Sequence, residues 1–143
     1  MKILVSACLL GLPCRYDGKS VACPELLKLK ERHELIPFCP EIYGGLPTPR
    51  CPAEIKGHRV ITKDGNDVTQ QYNKGALLAA ETAKLLHCEL AILKEKSLSC
   101  GTHQVYDGTF TGTLKAGMGV TARLLSENGI RCISDEDIPS EGL

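Results

Sequence analysis

Short apolar runs alternate along the chain with longer segments in which apolar residues recur at i, i+3 and i+4. Continuous runs of this kind are typical of strands buried in a parallel sheet, and the second spacing is typical of amphipathic helices. The pattern predicts strands over 2–8, 34–39, 89–95 and 130–135, and helices over 24–33, 70–87 and 118–127. This alternation indicates an α/β fold: a single Rossmann-like domain over 1–143, with a mostly parallel sheet of about four strands flanked by helices.

The segments between these elements contain the turn-forming residues. Strand 2–8 is expected to lie in the middle of the sheet because it is apolar throughout. The segment 40–57 is rich in proline and is predicted to be a loop. Beyond it, β-branched residues flank Asp64-Gly65, which predicts a small β-hairpin. The tail 136–143 is expected to fray.

Charge and composition limit the classes of partner. The 17 Lys and Arg balance the 17 Asp and Glu, and aromatic residues make up 4% of the chain, which argues against a nucleic-acid or membrane surface. No apolar run approaches the ~20 residues that span a membrane. The lipoprotein-like box Val5-Ser6-Ala7-Cys8 lacks the apolar stretch of about 7–15 residues that a signal peptide needs. We therefore expect a cytoplasmic protein, a monomer or weak homo-oligomer, without nucleic-acid or membrane partners.

Three cysteines stand where a predicted strand gives way to a loop rich in glycine and proline. Cys8, Cys39 and Cys100 end the segments KILVSAC, ELIPFC and LAILKEKSLSC. Because the carboxyl ends of parallel strands meet at one edge of a sheet, these thiols are expected to converge there. Three converging thiolates suit an iron–sulfur cluster or zinc. A site with only three protein ligands leaves one metal position for a substrate, as in catalytic centres.

The other five cysteines have competing interpretations. Cys14, Cys23 and Cys51 lie in or next to the same loops, and Cys14 is the strongest of them, either as a spare ligand or as a reactive thiol. Cys88 and Cys132 lie beside apolar runs and are predicted to be packed thiols. No C-x-x-C pair occurs, which argues against zinc ribbons and thioredoxin-like sites.

Polar residues near the three cysteines are candidates for catalysis and substrate binding. Glu41 lies two positions after Cys39, and a carboxylate beside an anionic cluster is suited to exchanging protons near neutral pH. Ser97 and Ser99 flank the approach to Cys100, and either hydroxyl is placed to orient water or bind a substrate heteroatom. The candidates for substrate binding in the same predicted loops are Arg15, Tyr16, Asp17 and Arg50.

Two alternative functions also have support in the sequence. His103 forms a Cys-x-x-His pair with Cys100, which favours a zinc-binding or metal-sensing module. The segment from Gly117 to Ala122 matches G-x-G-x-x-A, the pattern of a dinucleotide-binding loop, which would suit a non-catalytic nucleotide-binding protein. It does not directly follow a predicted strand, so a helix-start turn is the preferred interpretation.

The motifs VSACLLG-x-x-C-RYDG, CPE-x-x-GGL-x-x-PR, LK-x-x-S-x-SCG and YDGTFTG occur in this order. They resemble a bacterial family known as domain of unknown function 523, over most of the chain. Members of that family include thiouracil desulfidases with a 4Fe-4S cluster on three cysteines. One departure is Leu98, which stands between the two serines where proline is expected.

The resemblance implies a reaction and a set of roles. It implies non-redox desulfuration of a thiolated pyrimidine such as 2-thiouracil to the oxo compound, with release of hydrosulfide. The cluster ligands fall on Cys8, Cys39 and Cys100, and the acid/base falls on Glu41. The partner hydroxyl falls on Ser97. The expected partner is thus a small thiolated nucleobase, and the expected cofactor is a 4Fe-4S cluster.

Overall fold

The computed structural model describes residues 1–139. Its strands are β1 (Lys2–Ser6), β2 (Glu34–Phe38), β3 (Ala53–Lys56), β4 (Arg59–Thr62), β5 (Leu90–Leu93), β6 (Gln104–Tyr106), β7 (Leu114–Ala116) and β8 (Arg131–Ser134). Its α-helices are α1 (Pro24–Leu29), α2 (Pro40–Tyr43), α3 (Thr69–Leu85) and α4 (Val120–Glu127). Short 3-10 turns occupy Ala7–Leu10 and Asp135–Asp137.

Four strands form a parallel sheet in the order β2-β1-β5-β8. Ile3 of β1 lies opposite Leu35 of β2 on one side and Leu90 of β5 on the other. The strand β8 extends the sheet beyond β5. The predicted parallel α/β sheet is confirmed, and so is the interior position of its first strand.

Both faces of this sheet are covered, because side chains along a strand alternate between them. Ile3 and Val5 join Leu26 and Leu29 of α1 in one core cluster. Leu4 joins a second cluster on the opposite face. That second cluster includes Ala79, Ala80 and Ala83 of α3 together with Ala122 and Leu125 of α4. Burial on two sides explains why β1 has no polar position between Lys2, at its start, and Ser6, at its end.

The first strand is shorter than predicted. β1 ends at Ser6, and the chain then forms the 3-10 turn in which Cys8 lies. Gly11 closes the turn with φ 95°, and its N–H donates to the carbonyl of Cys8 at 3.2 Å. Cys8 therefore follows the strand instead of ending it. The helix predicted over 24–33 likewise stops at Leu29.

The small hairpin exists, but its main turn is not at Asp64-Gly65. Lys56 of β3 pairs with Arg59 of β4, so the turn is at Gly57-His58, where Gly57 has φ 62°. The chain also reverses at Asp64-Gly65, where an isolated antiparallel bridge joins Ile61 and Asp67 across the turn. The predicted turn is therefore present, but the ladder of the hairpin is closed by the earlier turn, because the register is set by both facing strands.

Three other elements differ from the predictions. The predicted loop 40–57 contains α2 and β3, since Pro40 is at a first helical position, where proline is well tolerated. A second antiparallel hairpin, β6–β7, was not predicted. In the tail, Asp135–Asp137 are ordered as a 3-10 turn, and the part after residue 139 lies outside the described residues.

Candidate functional site

A cavity of about 480 Å³ opens where the carboxyl ends of β1, β2 and β5 meet. Its walls come from the segments that directly follow these strands, from the β3–β4 hairpin and from the loop between β6 and β7. Ligands of open α/β sheets bind at this edge. The cavity volume is in the usual range for a small-molecule site.

The three predicted ligand cysteines all line this cavity. Cys8 and Cys100 are buried and Cys39 is half-buried. Cys8 is in the turn after β1, Cys39 directly follows β2 and Cys100 follows β5. The fold thus brings together thiols that are up to 92 positions apart, from 8 to 100.

Cys14 belongs to the same group of thiols. It is buried, lines the cavity and accepts, through its carbonyl, a hydrogen bond from the Cys39 thiol at 3.7 Å. A hydrogen bond with Cys39 lowers the pKa of Cys14, but a hydrogen bond with Cys8 and burial outweigh it, and the pKa is raised. Contact with Cys14, followed by burial, also raises the pKa of Cys39.

Hydrogen bonds between neighbouring residues shape the loop that contains Cys100. Ser97 Oγ accepts from the backbone N–H groups of Ser99 and Cys100, both at 3.2 Å. Burial raises the pKa of Cys100 to about 12, against opposing hydrogen bonds with Ser6 and Ser97. Because metal ions bind the thiolate form of cysteine, any metal held by Cys100 would displace the proton of this thiol.

The buried carboxylate of Glu95 fixes the same loop. One carboxylate oxygen accepts from the backbone N–H groups of Lys96, Thr102, His103 and Gln104 at 3.0–3.2 Å. The other accepts from the Thr102 hydroxyl at 2.7 Å. Burial acts to raise the pKa of Glu95, but these hydrogen bonds together lower it to about 2. The residue is therefore an anionic anchor for the loop that contains Cys100.

Glu41 is held by donors from three distant parts of the chain. Its Oε1 accepts from Arg50 Nε at 3.1 Å and from the Tyr72 hydroxyl at 2.8 Å. Its Oε2 accepts from Ser99 Oγ at 3.3 Å. Burial and the nearby carboxylate raise the pKa of Tyr72, so the phenol keeps its proton and donates. The carboxylate lines the cavity in one fixed orientation.

The two candidate serines have different surroundings. Ser97 lines the cavity. Ser99 is fully buried and donates to Glu41. A ligand in the cavity therefore has access to Ser97, while Ser99 acts on the site through the carboxylate.

The four residues predicted to bind substrate also have different surroundings. Arg15 and Tyr16 line the cavity, and Arg15 lies 5.9 Å from the centroid of the Tyr16 ring. Asp17 accepts from the backbone N–H of Lys19 at 3.0 Å, as in an ordinary turn. Arg50 lines the cavity, but its donors are bound by Glu41 and by the carbonyl of Cys14 at 3.0 Å. It joins two loops of the site through these contacts.

Positive charge surrounds the thiols. Lys63, Lys94 and Lys96 line the cavity together with Arg15 and Arg50. The wall also contains three acidic residues: Glu41 pairs with Arg50, and Glu54 and Glu95 accept hydrogen bonds from backbone N–H groups. This excess of cations suits an anionic group held by several thiolates.

The geometry does not support the zinc alternative. Within residues 1–139, no three side chains of the His, Cys, Asp and Glu types are gathered closely enough to hold a single ion. His103 is bound to Asp137 at 2.7 Å and its side chain is 65% exposed, whereas Cys100 is buried. Zinc needs its ligands around one ion. Cys100 and His103 therefore do not form the zinc pair that their spacing suggested.

The glycine segment 117–119 is not shaped to bind a nucleotide. The carbonyls of Leu98 and Ser99 accept from the N–H groups of Val120, Thr121 and Ala122 at 2.9–3.0 Å. These are the donors that a phosphate would use at a helix start. The N-terminus of α4 therefore supports the Cys100 loop, in agreement with a helix-start turn.

Tyr72, Glu54 and Glu95 were missed in the sequence analysis. Tyr72 is on α3, among residues with a helical pattern, and Glu54 and Glu95 look like ordinary charged positions. Glu95 at the end of an apolar strand was the one available signal, because an acidic side chain there needs buried partners.

The chain is similar to known proteins over nearly its whole length. The model of the 2-thiouracil desulfurase family matches residues 3–137. The uncharacterized protein YbbK of Bacillus subtilis (strain 168) is 42% identical over 146 aligned positions, covering 95% of this chain and 97% of YbbK. The structure of the [4Fe-4S]-dependent thiouracil desulfidase TudS (DUF523Vcz) superposes with a TM-score of 0.92 at 46% identity, covering 96% of this chain and 93% of TudS.

Proposed function

The chain belongs to the 2-thiouracil desulfurase family, and on this basis we propose that it is an iron–sulfur-dependent, non-redox desulfidase. The substrate is a 2-thiouracil-like pyrimidine. Water supplies the oxygen that replaces sulfur at the thiocarbonyl carbon, and sulfur leaves as hydrosulfide. The observation that carries this proposal is the cavity in which three thiols, from the segments that follow β1, β2 and β5, lie beside the anchored carboxylate of Glu41.

Cys8, Cys39 and Cys100 are assigned as the residues that hold a 4Fe-4S cluster. Their soft sulfur donors and the surrounding cations fit such a group. When bound, the cluster would supply a soft Lewis acid for the sulfur that leaves. Cys14 is assigned a place next to the cluster and outside its ligand set.

Glu41 is assigned the proton transfers. Attack of water on the thiocarbonyl carbon requires the removal of a proton, and the departing sulfur requires one. A carboxylate fixed at the cavity wall is placed for both transfers. Ser97, which lies at the wall of the same cavity, is assigned to orient the water or the substrate. Ser99 and Tyr72 act by positioning Glu41.

The test is anaerobic purification followed by measurements of iron, sulfide and hydrosulfide release from 2-thiouracil. The wild type should carry iron and release hydrosulfide. Cys→Ser at 8, 39 or 100 should remove iron and activity together, because a hydroxyl is a poor ligand for soft iron. Cys14→Ser is the matched control from the same cavity and should retain iron.

Two results would contradict these assignments. A wild-type protein with iron and no hydrosulfide release would remove the proposed reaction. A Cys14→Ser protein without iron would show that the ligand set is wrong, even if the reaction stands.

We further propose that the protein works in the cytoplasm as a monomer or weak homo-oligomer, with a small thiolated nucleobase as its partner and no nucleic acid. Thiols that bind a cluster have to stay reduced, and the cytoplasm is the compartment that keeps them so. Among the described residues, no helix has the length and apolar character needed to cross a membrane. Size-exclusion chromatography with light scattering tests the oligomeric state.

A further inference from the structure

The loop between β6 and β7 presents an aromatic residue to the cavity in an uncommon backbone conformation. Phe110 lines the cavity and has φ 58°. A bulky residue rarely adopts the left-handed region and does so only where its surroundings impose it. Such positions cluster at ligand sites. The contacts of the loop account for the conformation of Phe110.

Glu54 of β3 holds the loop in place. The residue is 8% exposed, and its carboxylate accepts from the backbone N–H groups of Gly108 at 2.8 Å and Phe110 at 3.2 Å. A Cβ at position 108 would lie 2.6 Å from the carbonyl oxygen of Ile55, so this part of the loop lies directly against β3. The loop is therefore fixed to the β3–β4 hairpin.

The Phe110 ring is itself in contact with β3. Lys56 Nζ lies over one face of the ring, 5.5 Å from its centroid. Within the loop, the Thr109 hydroxyl donates to Asp107 at 2.6 Å, which further limits its motion. The result is a preorganised aromatic surface at the cavity.

We propose that Phe110 is a specificity residue that stacks on the flat pyrimidine ring of the substrate. This inference rests on the proposed function, since it concerns the same cavity. Stacking on an aromatic side chain favours a planar, unsaturated ring over a puckered ring that carries the same polar groups. Tyr16 and Tyr106 also line the cavity, but they are 44% and 38% exposed.

The test compares two ligands that do not contain sulfur and therefore are not turned over. Uracil is planar, while 5,6-dihydrouracil has the same N–H and C=O groups on a puckered ring. Dissociation constants for both are measured by anaerobic calorimetry with the cluster-loaded protein. The wild type should prefer uracil. Phe110→Leu keeps an apolar wall and should weaken uracil binding by about 5- to 100-fold, the usual effect of losing one stacked aromatic. Dihydrouracil binding should change much less.

Two further variants test whether the effect on uracil binding is specific to the aromatic ring at position 110. Phe110→Trp should retain the preference for uracil, because an aromatic face is still present. Tyr106→Leu removes the neighbouring aromatic of the same hairpin and should change the uracil-to-dihydrouracil ratio less than Phe110→Leu does.

The inference is overturned if the wild type does not bind uracil or shows no preference for it, if Phe110→Leu leaves the ratio unchanged, or if Tyr106→Leu changes it as much. Hydrosulfide release from 2-thiouracil by the wild type is recorded separately. Release together with an unchanged ratio would overturn the role of Phe110 alone. Absence of release together with a Phe110-dependent ratio would overturn the proposed reaction and leave a pyrimidine site.

Discussion

Glu41 receives hydrogen bonds from Arg50, Tyr72 and Ser99. Glu41→Gln removes the charge and the proton-carrying capacity but retains the size of the side chain. We expect the variant to keep its iron and to lose activity by about 10²- to 10⁴-fold, the usual contribution of a positioned acid/base. Tyr72→Phe removes one of the three donors and should cause a smaller loss.

The measurements for this prediction are iron content and the initial rate of hydrosulfide release. Ser97→Ala and Ser99→Ala should both keep iron. Together they distinguish direct contact with the substrate from positioning of Glu41. Ser97→Ala should raise KM for 2-thiouracil as well as lower kcat, because Ser97 lies at the cavity wall, whereas Ser99→Ala should mainly lower kcat. Full activity in Glu41→Gln would contradict the assigned proton transfers.

Glu95 makes stability depend on pH. Its pKa is lowered from 4.5 to about 2 in the folded chain, so its contribution is present above pH 4.5 and is lost as pH falls toward 2. A shift of this size corresponds to roughly 3 kcal/mol for this buried group. Glu95→Gln should therefore lower the free energy of unfolding at pH 7, and its difference from the wild type should shrink as the pH falls below 4.5.

Urea unfolding of the cluster-free proteins at several pH values checks this prediction, because acid loss of iron then does not contribute. Glu81→Gln, at an exposed position of α3, is the control and should match the wild type throughout. A difference between Glu95→Gln and the wild type that is constant with pH would be inconsistent with an anionic anchor.

The packing of α2 on α3 depends on a missing side chain. A Cβ at Gly75 of α3 would overlap the backbone carbonyl of Pro40, the residue between Cys39 and Glu41. Helix propensity alone predicts that Gly75→Ala stabilises α3 by about 1 kcal/mol. The structure predicts the opposite, a destabilisation of about 1–3 kcal/mol from overpacking. Because α2 has to move, iron incorporation should fall as well.

Thermal unfolding and iron content measure this effect. Asn73→Ala, at an exposed position of the same helix, is the matched control and should be neutral or slightly stabilising. A Gly75→Ala protein more stable than the wild type would mean that α2 and α3 are not in this close contact.

Across the whole molecule, the proposed cluster ligands join segments that follow β1, β2 and β5. Metal bound by the folded chain and not by the unfolded one adds its binding free energy to stability. Removal of iron with a chelator should therefore lower Tm. Hydrogen exchange should increase in 7–14, 39–46 and 97–101 and stay unchanged in the β3–β4 hairpin. An unchanged Tm after complete iron loss would contradict a cluster held by these three segments.

The fold class was predictable because it depends on short-range patterns. Apolar runs and helical spacing report which face of each element is buried, and they located the four strands of the parallel sheet and the main helices. The position of three cysteines after successive sheet strands could be read in the same way, since parallel topology brings strand ends to one edge. The resemblance of the motifs to a known family added the reaction.

The detailed site was decided by tertiary structure. Tyr72 and Ser99 lie 31 and 58 positions from Glu41, and no local pattern relates residues so far apart. The sequence predicted a hairpin turn at Asp64-Gly65, whereas the β3–β4 ladder is closed at Gly57-His58, because strand register depends on both facing strands. Phe110 reaches the cavity only because β3 holds its loop. Local sequence therefore determined the elements and the chemistry available, whereas the packing of elements determined which side chains meet, because those contacts depend on the mutual positions of distant segments.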